Sequence, residues 1–97
     1  MDKQVILTRL CNSADHIRQR FAVKKLSVFG SVCRNQASDK SDVDVLVSFK
    51  QEATFDLFMD LKFYLEDLLG TNVDLVTDSA LRPQIRRAIE SELIDVA

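Results

Sequence analysis

Hydrophobic positions along this chain switch between two periods. Val5, Ile6, Leu10 and Ile17, with Phe21 just beyond, recur every three or four residues or at multiples of that spacing among charged neighbours. That spacing predicts an amphipathic helix over residues 3–20. The period then falls to two in KLSVFG, residues 25–30, where Leu26 and Val28 share one face and Phe29 takes the other. Gly30-Ser31 breaks this strand, and the polar residues 31–41 read as a turn or short helix. A second strand is expected over residues 42–49. Val43, Val45 and Val47 point one way there, and Asp42, Asp44, Leu46 and Ser48 the other.

The helical period returns with Phe55, Phe58, Leu61, Leu65, Leu68 and Leu69. Thr54 or Asp56 is placed to cap this helix and Gly70 to end it. The Phe55, Phe58, Phe63 and Tyr64 cluster is expected to be mostly core, any part left uncovered being a candidate partner surface. TNVDLVT, residues 71–77, is a third strand; Asp78 or Ser79 opens a last helical region, with Pro83 near the start of its second part. A helix joining the second and third strands makes them parallel, and the short link between the first two makes those antiparallel. The expected fold is α/β, a small mixed β-sheet flanked by helices, in one domain over residues 1–97.

Composition narrows the function. A net charge of −2 supplies no basic field, so binding of long nucleic acid is not expected. No apolar run approaches a membrane span and no signal-like segment opens the chain, so a cytoplasmic protein is expected. Cys11 and Cys33 lack metal-ligand spacing and read as reduced thiols. The single histidine, His16, reads as part of a solvated helix face.

The candidate chemistry lies in FGSVCRNQASDKSDVDVLVSF, residues 29–49. Two aspartates, Asp42 and Asp44, run into an apolar strand, where carboxylates are depleted and costly to bury unpaired. Two apart on a strand, they leave one face about 6–7 Å from each other, a spacing suited to a hard cation such as Mg²⁺. Asp74 repeats the anomaly in the third strand, and if the two strands are neighbours it stands beside the first pair. Three clustered carboxylates repel unless a cation neutralises them, the arrangement expected for two-metal phosphoryl or nucleotidyl transfer. Gly30 and Ser31 would form the anion cradle, and Arg34, a turn further on, is in position to pair with a phosphate oxygen. A solvated strand start for the aspartates and a solvated surface for Arg34 are the competing readings. Arg82, Arg86 and Arg87, at helical spacing, are read as solvated surface.

Gly30-Ser31, residues 32–41, then Asp42-Val43-Asp44 resembles the signature of the DNA polymerase β-type nucleotidyltransferase superfamily. The VFGS…R…SDVDVLV context and the SALRPQIRRAIESE ending are similar to its minimal nucleotidyltransferases, the short antitoxins paired with HEPN-domain toxins. The resemblance implies the nucleotidyltransferase fold, with Asp42 and Asp44 on Mg²⁺ and Asp74 as the third acidic residue. Asp74 would help activate the attacking hydroxyl, and Gly30 and Ser31 would hold the triphosphate of ATP. Two departures stand in the turn, where Cys33 replaces a common alanine and Asn35 a common glycine. The implied function is transfer of AMP to a tyrosine of a HEPN-domain toxin, this chain being the antitoxin. The alternative is a catalytically silent partner that neutralises such a protein by contact alone.

Overall fold

The computed structural model describes residues 2–30 and 42–97. The amphipathic opening of the chain folds as two helices, α1 (Lys3–Asn12) and α2 (Ala14–Phe21), rather than the single helix its periodicity predicts. The break is at Ser13, whose N–H bonds back to the Leu10 carbonyl at 3.2 Å and so tightens the turn. Ile6, Leu10, Ala14, Ile17 and Phe21 all remain buried across it. The apolar stripe therefore carries no trace of the interruption. Asp2 caps α1 by accepting from the Val5 N–H at 2.9 Å.

Four strands follow in one sheet of order β3-β2-β1-β4. They are β1 (Val23–Phe29), β2 (Val43–Phe49), β3 (Val73–Thr77) and β4 (Ile94–Asp95). β1 pairs antiparallel with β2, and β2 pairs parallel with β3, the arrangement the connection lengths predict. β1 starts earlier than its strict alternation, because an irregularity between Val23 and Lys25 breaks the period of two. β4 has too few residues to show any period. It is held on β1 by the buried Ser27, whose hydroxyl donates to Asp95 Oδ1 at 2.6 Å.

The crossover between β2 and β3 is α3 (Phe55–Leu69). Its cap is Thr54 rather than Asp56, the hydroxyl accepting from the Leu57 N–H at 3.1 Å. Gly70, left-handed at φ 70°, closes it with an N–H to the Glu66 carbonyl. A short 3-10 turn at Asp78–Ala80 leads to α4 (Pro83–Glu90), whose proline sits in the first turn. Val43, Val45 and Val47 pack with Leu26 and Val28 against Ile6, Leu10, Ile17, Leu61, Leu65 and Leu69 to make the core.

The aromatic cluster divides, correcting the expectation of a mostly buried group. Phe58 and Tyr64 pack partly buried against the core, but Phe55 is 74% exposed and Phe63 53%. Residues 55, 59 and 63 follow one another at i+4 around α3, on the side away from Leu61, Leu65 and Leu69. His16 is exposed, its ring centroid 5.4 Å from that of Tyr64. Among the described residues no helix is long and apolar enough to cross a membrane.

The β4 anchor makes a pH-dependent prediction. The Ser27 hydrogen bond, and less strongly Lys25 with its Nζ 3.4 Å from Oδ2, hold the Asp95 carboxyl below the ordinary aspartate range against the opposing effect of burial. A depressed folded-state pKa contributes stability above the unfolded value, and that contribution disappears as pH falls through the folded value. Ser27→Ala should therefore lower the melting temperature at neutral pH, and the gap to the wild type should narrow below about pH 4. Thermal melts of both proteins across that range check it; a gap independent of pH would exclude this origin.

Candidate active site

The parallel register of β2 and β3 matches Val43 with Val73, Asp44 with Asp74, and Val45 with Leu75. Strand alternation buries the valines and Leu75 on the helical side and puts both aspartates on the other face. Asp44 is half-buried and Asp74 exposed. Asp42 stands one residue before β2, exposed at the mouth of the strand. The sheet thus sets Asp44 and Asp74 side by side on strands about 4.8 Å apart.

The turn that ends β1 closes on the same point. Phe29 is the antiparallel partner of Asp44, and Gly30 follows at φ +78°. A Cβ on Gly30 would collide with the Asp44 carboxylate. Glycine suits this position for its left-handed backbone, and any side chain here would have to displace the Asp44 carboxylate. Residue spacing pointed to Gly30 as a phosphate cradle but gave no sign of this contact, which exists only once β1 and β2 are paired. Ser31, Arg34, Cys33 and Asn35 lie outside the described residues.

Among the described residues no three His, Cys, Asp or Glu side chains form a group that could hold a metal ion. What the strands bring together is the pair Asp44–Asp74, with Asp42 at its approach. An all-oxygen donor set, half-buried on one side and open on the other, suits a hard cation that keeps waters and takes phosphate oxygens, in contrast to a closed protein cage.

A cleft of about 710 Å³ lies at the opposite end of β2 and β3, bounded by Val47, Phe49, Phe55, Phe58, Thr77 and Asp78 among others. None of Gly30, Asp42, Asp44 or Asp74 lines it. Of the three arginines near it in sequence, Arg86 pairs with Asp78 and all are exposed, in line with solvated surface.

A nucleotidyltransferase-domain family model matches residues 10–96. The protein adenylyltransferase MntA of Thermococcus cleftensis is 42% identical over 80 residues, which span 82% of this chain and 81% of that protein. In structure the chain is similar to one described as a candidate minimal nucleotidyltransferase, with a TM-score of 0.83 at 35% identity over 97% of this chain and 95% of the other. A more distant likeness is to a chain of the tri-AMPylated Shewanella oneidensis HEPN toxin in complex with its MNT antitoxin. There the TM-score is 0.68 at 15% identity, over 94% of this chain and 71% of the other, and the likeness speaks for the fold.

The two glycines separate backbone strain from carboxylate placement. Gly70→Ala introduces a left-handed alanine at an exposed position, for which about 1–2 kcal/mol of lost stability is expected. Gly30→Ala adds the collision with Asp44 and should cost clearly more. Urea unfolding of both variants measures the difference; equal losses would show that Asp44 moves aside freely.

Proposed function

Because the chain belongs to the nucleotidyltransferase family and is a transferase of that class, we propose that it moves AMP from ATP to a tyrosine hydroxyl of a HEPN-type toxin and acts as its antitoxin. The observation that carries this reading is the in-register pair Asp44–Asp74, of which Asp44 lies beside Gly30. A carboxylate pair at the end of a glycine turn is what a triphosphate and its counter-ion need. The relative named MntA is a protein adenylyltransferase, and the toxin in the Shewanella complex is tri-AMPylated, which supports AMP as the group moved and a HEPN protein as its destination.

On this reading the pair Asp44–Asp74, with Asp42 at its approach, would hold Mg²⁺. When bound, that ion supplies positive charge to offset the triphosphate and the charge that develops as the α-phosphorus is attacked. The chain's own residues do the positioning. Gly30 supplies the left-handed turn beside Asp44, and Ser31 and Arg34 would donate to phosphate oxygens. Asp44 presents its carboxylate beside Gly30, at the start of that turn. Asp74, exposed on β3, is open to an incoming hydroxyl and takes its proton as the new O–P bond forms. The bond between the α- and β-phosphates breaks and pyrophosphate leaves.

Co-expression with a HEPN-domain partner tests this. Intact-mass measurement of the partner should show AMP added by the wild type. Asp44→Asn should reduce the addition by about 10²-fold or more, and removal of divalent metal with a chelator should stop it. A partner that is neutralised with no AMP added would overturn the transfer and leave neutralisation by contact.

A further inference from the structure

The outer side of α3 carries two adjacent rows. Phe55, Met59 and Phe63 form one at four-residue spacing; Asp56, Asp60 and Asp67 form the other. Both phenylalanines and all three aspartates are exposed. The one basic residue of the helix, Lys62, lies within 3.9 Å of Glu66, and among the described residues no ion pair balances the acidic row. Phe55 also forms part of the wall of the 710 Å³ cleft, where Val47, Phe49 and Phe58 continue the apolar surface inward. An exposed aromatic row beside a line of like charge, opening into a partly apolar cleft, is the form of a docking surface.

We infer that this face of α3 binds a basic surface of the acceptor protein, with an apolar side chain of that protein entering the cleft beside Phe55. The charge selects the occupant: two copies of this face laid together would oppose aspartate to aspartate, whereas a basic partner pairs with the row and covers the phenylalanines. α3 packs its leucines on the valine side of the sheet, away from Asp44 and Asp74. Docking and group transfer therefore use different faces of the molecule. The inference rests on the acceptor being the HEPN-type protein of the proposed function, and the two can fail separately.

The test uses the full chain and the HEPN-domain partner, with complex affinity measured by calorimetry and AMP addition by mass. Asp60→Lys/Asp67→Lys and Phe63→Ala, all at exposed positions outside the first turn of α3, should each weaken the complex by about tenfold or more without lowering the unfolding midpoint. Affinity of the wild type should fall with added salt, and Asp44→Asn should bind as the wild type does. Face variants that bind like the wild type while AMP is still transferred would overturn the docking surface and leave the transfer standing. Face-dependent binding with no transfer by the wild type would do the reverse. Absence of any complex, or self-association of the wild type abolished by the same substitutions, would overturn the inference.

Discussion

The parallel register of β2 against β3 is the constraint on which the rest of this structure depends. It puts Asp44 directly beside Asp74, and like charges at matched positions of neighbouring strands are destabilising. The hydrophobic pattern on the other face holds them there. Val43, Val45, Val73 and Leu75 flank the two aspartates and are all buried. A slip of one residue would turn the valines of one strand to solvent and drive its aspartate into the core. The core thus fixes the acidic pair through the backbone, and the repulsion between the carboxylates is available to be relieved by a cation. α3 is the necessary companion of that register, since two parallel strands require a crossover and its leucines cover the valine face.

Most of this arrangement was legible in the sequence because it is periodic. The alternation in residues 42–49 and 71–77 identified both strands, and the helical stripe between them dictated a parallel pair. What escaped lacked a period or concealed a change in one. Ser13 divides the first helix without disturbing its apolar stripe, and β4 is too short to alternate. The exposure of Phe55 and Phe63 escaped for another reason. Aromatic side chains are read as core, yet on α3 the inward side is already filled by Leu61, Leu65 and Leu69. Asp42, Asp44 and Asp74 stand out in the sequence because carboxylates are unusual in and beside such strands, and the register sets the last two side by side. The contact of Asp44 with Gly30 joins residues on two different strands, and no local spacing encodes it.

That contact changes what the glycine is for. A glycine beside a phosphate site is ordinarily explained by the approach of the ligand to bare backbone. Here the first atoms to occupy the space are those of Asp44, a residue of the protein itself. The end of β1 and the carboxylate that β2 presents therefore lie against one another, independently of any nucleotide. On the proposed reading, Gly30 at the start of the phosphate-holding turn sits beside the carboxylate that would hold the metal. On that reading the pairing of β1 with β2 places two groups that a triphosphate would engage side by side before it arrives, and preorganisation of that kind is the larger part of electrostatic catalysis. Asp74, in contrast, is exposed. The asymmetry suits a division of labour in which Asp44 is fixed to the nucleotide side and Asp74 faces the incoming acceptor.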